Sequence, residues 1–175
     1  MPLLTEEKIT ITDQELKKEL KEKGYGEEEE RKKENGKLVL SPEETLYLKE
    51  KRKNFTVRDP ENKELGEEEL KKQFTRRNEE FPRKYTVYKD LRDRGFCVKT
   101  GFKFGSHFRV YKRGEKPGEG HAKWLVHAVP EEYECSFPEL SRSIRLAQNV
   151  KKTMVYAVVD KEQDITYYKM KRITP

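Results

Sequence analysis

"KWLVHAVPEEYECSFPELSRSIRLAQNVKKTMVYAVVD", residues 123–160, decides the fold of this chain. Its two ends, "KWLVHAV" and "MVYAVVD", are nearly continuous apolar runs rich in β-branched and aromatic residues, as expected of interior strands buried on both faces. Between them Ser136 and Glu139 form a capping box, Pro138 sits in the first turn, and Leu140, Ile144 and Ala147 share a stripe at helical spacing. Three flanking runs, "FCVKT" (96–100), "FRVYKR" (108–113) and "ITYYKMKRI" (165–173), read as further strands. The second half is therefore α/β, a mixed sheet with helices packed on it.

Working outward, residues 84–94 read as a helix with Tyr85, Tyr88 and Leu91 on one face and Gly95 as its C-cap. Composition shifts at "EEFPRKY" (79–85), and Pro82 makes a boundary. Upstream of it the pattern is one of short helices and hairpin pieces. Thr12 with Glu15 reads as a capping box before Leu16 and Leu20, with Gly24 as the stop. Ser41, Pro42 and Glu44 open a second helix holding Leu46, Tyr47 and Leu48, and residues 66–80 form a third with Leu70 and Phe74 on one face. "GEEEERKKENG" (26–36) is a charge run that reads as a solvated loop. The expected architecture is α/β (α+β): a small mixed α/β N-terminal domain, residues 1–81, followed by a second domain, residues 82–175.

The 33% hydrophobic content over 175 residues also fits two modest cores better than one large one. Residues 1–81 hold 19 Lys/Arg against 22 Asp/Glu, whereas residues 82–175 hold 20 against 11, so the net charge of +6 belongs to the second half. That asymmetry suits a polyanion-binding face, as it also suits a charge-rich solvated surface. The two cysteines, Cys97 and Cys135, have no metal-ligand spacing, which points away from a zinc site or disulfide framework and toward a reduced, cytoplasmic setting. No apolar run approaches the roughly 20 residues of a membrane span, and the N-terminus lacks the layout of a signal peptide.

Three side chains lie at element ends, where a sheet can aim them at one point. Tyr111 ends one strand, His121 precedes the next, and Lys152 lies between the 136–150 helix and "MVYAVVD". The loop between the first two carries Lys112, Arg113, Lys116 and three glycines, a basic segment suited to following a phosphate backbone. Cleaving RNA without a metal needs a base for the 2′-hydroxyl proton, an acid for the departing 5′-oxygen, and a cation beside the phosphate. Histidine, with an ordinary pKa of about 6.5, suits the acid; tyrosine, near about 10, serves as base only where a cation favours phenolate. Spacing alone does not select this chemistry. A strand-end tyrosine commonly packs half-buried, and a lysine after a helix commonly complements its dipole. His127, inside an apolar strand, reads as a satisfied core group.

At these residues the sequence resembles the archaeal tRNA-splicing endonuclease family. The resemblance runs along "YKDLRDRGFCVKTGFKFGSHFRVYKRG" (88–114), "HAKWLVHAVPE" (121–131), "ELSRSIRLAQNVKK" (139–152) and "YAVVDKEQDITYYKMKRITP" (156–175), with "LSPEETLYL" (40–48) in the first half. It implies a restriction-endonuclease-like catalytic domain with a mixed central sheet flanked by helices. By the same resemblance Tyr111 is the general base, His121 the general acid and Lys152 the transition-state stabiliser, with no metal and no cofactor. The implied substrate is precursor tRNA folded as a bulge-helix-bulge, and the implied products bear 2′,3′-cyclic phosphate and 5′-hydroxyl ends.

Arg145 matches the family arginine that stacks on a bulged base, and Lys112 and Arg113 are expected on the RNA backbone. Tyr167 or Tyr168 contributes to RNA or to a subunit interface in this view, although core packing is the plainer reading of both. Asp160, Glu162 and Asp164 in "DKEQD" match an acidic loop that docks on an opposing subunit, so that the implied assembly is a homotetramer, a dimer of dimers. One position departs from the family pattern: His107 in "FGSHF" stands where an acidic residue is usual. Two rivals stay open at this level: a noncatalytic RNA-binding subunit of the same fold, and a metal-dependent nuclease, for which residues 96–129 offer no convincing carboxylate set.

Overall fold

The computed structural model describes residues 2–4, 8–29 and 36–175, and the chain divides into two compact units, the first ending at Pro82 and the second beginning at Arg83. Residues 30–35 of the 26–36 charge run lie outside the described residues.

The first unit contains β1 (Pro2–Leu4), β2 (Ile9–Ile11), α1 (Gln14–Glu22), β3 (Glu27–Glu28), β4 (Leu38–Leu40), α2 (Pro42–Lys51), β5 (Val57–Arg58), β6 (Glu64–Leu65) and α3 (Glu67–Arg77). Its six-stranded sheet runs β3-β4-β2-β1-β5-β6, antiparallel except where β1 meets β5. Alternate residues of β1, β2 and β4 are buried, which gives the sheet one core face, and Leu20, Leu46, Leu48, Leu70 and Phe74 of the helices are buried in the same unit.

Helix starts account for the differences from the sequence expectation. α1 is capped by Asp13, whose carboxylate accepts from the Leu16 amide, and not by Thr12, because Asp13 is the residue that holds extended backbone before the first turn. α2 has the expected Ser41 capping box, and its Glu44 carboxylate also accepts from the Gly26 amide, which explains a buried charge there. Gly26 has φ +73°, and a Cβ at that position would lie 2.6 Å from Leu38 Cγ, so only glycine fits. The acidic run is also not all loop. Glu27 and Glu28 pair with Val39 and Leu38 as β3.

The second unit holds most of α4 (Phe81–Asp93), then β7 (Cys97–Thr100), a short 3₁₀ turn (Phe102–Phe104), β8 (Phe108–Tyr111), β9 (Trp124–Pro130), α5 (Phe137–Asn149), β10 (Thr153–Val159) and β11 (Ile165–Met170). Its five-stranded sheet runs β11-β10-β9-β8-β7, and only the β9–β10 pair is parallel. The two runs that open and close the quoted stretch are thus interior strands joined by α5, as parallel neighbours require. One face of the sheet, with Leu125, Val129, Met154 and Tyr156, packs on Ala147, Ile144 and Leu140 of α5. The intervening residues face α4, where Tyr88 meets the Phe108 ring at 5.9 Å. Gly95, at φ +89°, closes α4 as expected, its amide bonded to Arg92 and that of Phe96 to Leu91. Among the described residues no helix is long and apolar enough to cross a membrane.

Candidate active site

Two backbone hydrogen bonds organise the site. The Lys123 amide donates to the Val110 carbonyl at 2.9 Å, and the Thr153 amide donates to the Lys123 carbonyl at 2.9 Å. Tyr111 follows Val110, Lys152 precedes Thr153, and His121 stands two residues before Lys123. The C-terminal end of β8 and the N-terminal ends of β9 and β10 therefore share one end of the sheet, because β8 runs against β9 and β9 runs with β10. Tyr111 and Lys152 flank Lys123 on adjacent strands. Two strand spacings put their α-carbons about 10 Å apart, a gap two long side chains can close from either side. Alternation along the strands also gives them the same face: Tyr111 shares parity with Arg109, Lys152 with Met154, and Arg109 and Met154 both pair with Leu125.

The three groups differ in exposure. Tyr111 is buried, only 4% exposed, and packs with Cys97 and Ala122. His121 is exposed at the end of the basic loop. Lys152 is half-buried, its ammonium 5.1 Å from the centre of the Phe104 ring and 3.4 Å from the Val150 carbonyl.

Lys152 is aimed by the way α5 ends. The Lys151 amide bonds to Gln148 and that of Lys152 to Ala147, and Lys151 takes a left-handed φ of 58°, a position where glycine is usual. Phe104 in turn is held by a tight turn: a Cβ on Gly101 would meet Ser106 Oγ at 2.2 Å and the Phe108 backbone at 2.8 Å.

The remaining expected residues divide. Lys112 and Arg145 are exposed, Arg145 on the outer side of α5. Arg113 is exposed as well, but its guanidinium lies 5.1 Å over the Phe96 ring, so a stacking partner already shares it. Asp160, Glu162 and Asp164 occupy the β10–β11 turn, the far end of β10 from Lys152, about 26 Å away at strand rise. Asp160 is used within that turn, its carboxylate accepting the Asp164 amide at 2.9 Å. Tyr167 packs as the plainer reading had it, donating to Asp90 at 2.6 Å; burial first, and this bond second, push its phenol well above the ordinary range. Tyr168 does not pack. It is 51% exposed on β11, because alternation turns it away from its neighbour's face. Among the described residues no three His, Cys, Asp or Glu side chains gather as a metal site.

His107 has a partner that sequence could not reveal. Its Nδ1 accepts the Ala128 amide at 3.0 Å, and its ring meets His127 at 5.4 Å, edge to face. His127 is accordingly a packed group, its ring also 5.5 Å from Tyr156. Sequence reasoning also passed over Phe104, Lys123 and Trp124. The first is three residues into a Gly-bounded turn, and in sequence the other two read only as part of a strand.

Residues 81–167 match the tRNA intron endonuclease catalytic C-terminal domain, and residues 3–71 match the N-terminal domain of the same enzymes. A tRNA-splicing endonuclease of Thermococcus kodakarensis is 50% identical over 135 residues, 77% of this chain and 77% of that protein. That of Pyrococcus abyssi is 43% identical over 151 residues, 86% of this chain and 82% of its own. That of Methanococcus vannielii is 40% identical over 167 residues, 95% of this chain and 90% of its own.

Proposed function

The chain belongs to the tRNA-splicing endonuclease family, and we propose that it removes introns from precursor tRNA by metal-independent cleavage at bulge-helix-bulge junctions. In the proposed reaction Tyr111 takes the proton of the ribose 2′-hydroxyl, and that oxygen attacks the adjacent phosphorus. The bond from phosphorus to the 5′-oxygen breaks, His121 supplies the proton that this oxygen needs, and Lys152 neutralises charge on the crowded phosphate. The products are a 2′,3′-cyclic phosphate and a 5′-hydroxyl. Arg145, Lys112 and Arg113 act on the RNA outside the reacting linkage. The observation that carries the reading is the hydrogen-bonded row Val110–Lys123–Thr153, which ties together the three strand ends bearing these groups.

Assembly belongs to the same proposal. Residues 82–175 form the catalytic domain of each subunit, and four subunits associate as a dimer of dimers. β11, an edge strand with no buried residue, pairs with its copy, and the 160–164 loop docks on the opposing dimer. Two sites at fixed separation then measure the helix between two bulges, so RNA shape selects the substrate more than base sequence does. The test is incubation of the pure protein with a bulge-helix-bulge RNA in excess EDTA, followed by analysis of the cut ends. Cyclic phosphate and 5′-hydroxyl ends support the reading. Cleavage that needs a divalent ion, or that leaves 5′-phosphate, overturns it.

A further inference from the structure

On the other face of the same sheet end lies a cleft of about 220 Å³ that the proposed chemistry does not use. Leu91, Phe96, Val110, Trp124, Val126 and Tyr167 are among its walls, and nearly all of that surface is apolar. Phe96 and Trp124 meet edge to face at 5.7 Å. Each of these rings has a cation over it: Arg113 lies 5.1 Å over Phe96, and the Lys123 ammonium lies 5.0 Å over Trp124. A third cation, Arg94, lines the cleft and is 5.9 Å over the Tyr167 ring.

We propose that this cleft receives one unpaired nucleobase of the substrate RNA, stacked on one of the perpendicular Phe96 and Trp124 rings and edge-on to the other, with the adjoining phosphates held by the cations over those rings, Arg113 and Lys123. The inference rests on the function proposed above. Three features of the cleft select such an occupant. Aromatic walls with cations over their rings match the two halves of a nucleotide, a planar ring and an anion. The volume lies below the about 300–1,000 Å³ of sites that enclose drug-sized ligands and suits a single ring system. The position is continuous with the proposed site, because Trp124 pairs with Val110, the residue before Tyr111, and Lys123 lies between Tyr111 and Lys152. A strand entering from the reacting linkage reaches the cleft by passing round the sheet end, along the loop that carries Lys112 and Arg113. The Tyr167 hydroxyl is already committed to Asp90, so the walls offer little hydrogen-bond readout and the base is held by stacking, whatever its identity.

Trp124 is the only tryptophan of the chain, so its emission reports this cleft directly. The full-length protein is titrated with a bulge-helix-bulge RNA carrying 2′-deoxy sugars at the cleavage positions, and with a fully paired RNA of equal length. Fluorescence anisotropy of end-labelled RNA follows binding in parallel. The expected result is quenching of Trp124 by the bulged RNA with the same midpoint as anisotropy, much weaker quenching by the paired RNA, and the same quench whichever base occupies the bulge. Phe96→Leu is expected to weaken bulged-RNA binding about tenfold while leaving paired-RNA binding unchanged. Binding by anisotropy with silent Trp124 emission overturns the cleft assignment and leaves the proposed function standing. An unchanged affinity in Phe96→Leu, or emission that follows protein concentration and not RNA, as burial of the cleft by a second copy would cause, also overturns it. Absence of any binding by anisotropy overturns the proposed function, and this inference with it.

Discussion

The ammonium of Lys152 rests 5.1 Å from the centre of the Phe104 ring. The aromatic face joins the end of α5 to the turn before β8 and holds a flexible cation at the sheet end where Tyr111 also stands. A cation–π contact at a half-exposed site contributes about 0.5–1 kcal/mol. Phe104→Leu keeps an apolar side chain but loses the ring, so kcat falls about two- to fivefold with KM unchanged, whereas Phe104→Tyr retains wild-type kcat. Steady-state kinetics on a bulged RNA check both.

His121 is exposed and Tyr111 is buried, so the two candidates for proton transfer fail differently when altered. His121→Ala slows cleavage about 10²- to 10⁴-fold with RNA affinity preserved and the thermal midpoint unmoved. Tyr111→Phe keeps the packing against Cys97 and Ala122 and loses only the hydroxyl, and cleavage falls by a similar factor. Single-turnover rates close to wild type in either variant remove that residue from the mechanism.

The Ala128 amide, in a residue with no exposure, depends on His107 Nδ1 as an acceptor. A carboxylate can fill the same acceptor role. Removing the acceptor leaves a buried donor with one partner fewer. His107→Ala therefore lowers unfolding stability by about 1–3 kcal/mol, and His107→Asp lowers it less. Urea titration distinguishes the two.

Glu19 is held down at about 2, first by its hydrogen bond to Arg52 and then by Lys23. Because its folded pKa lies below the unfolded value of 4.5, its contribution is complete above that value and is lost as pH falls through about 2. Glu19→Gln is accordingly less stable than wild type at pH 6, and the difference closes between pH 4 and about pH 2. Thermal midpoints across that range provide the check, and a constant difference would remove Glu19 as the titrating group.

In the proposed tetramer the 160–164 loop carries charge to the opposing dimer. Asp160 also shapes the turn, so a substitution there would mix two effects. Glu162 is exposed, and Glu162→Arg reverses the loop's charge without removing the Asp160 bond. The expected outcome in light scattering is the mass of a dimer. A mass unchanged from the wild-type tetramer counts against the docking role.

Sequence by itself determined the elements whose physics is local. The continuous apolar runs of β9 and β10 made them interior strands. The Ser41 and Ser136 boxes placed α2 and α5, since a capping oxygen and the amide it satisfies lie within one turn. The motifs around Tyr111, His121 and Lys152 carried the resemblance to the family. Where local cues competed, at Thr12 and Asp13, side-chain type alone could not say which residue would be extended.

What only the tertiary structure decided depends on strand order and facing. Tyr111, His121 and Lys152 share a sheet end only because β9 lies between β8 and β10, with one neighbour antiparallel and the other parallel. The His107–Ala128 bond, the Phe104 ring beneath Lys152 and the cleft under Trp124 all join segments distant in sequence. A residue's own neighbours carry no information about such pairings, because hydrogen-bonded register and alternation of faces are properties of the assembled sheet.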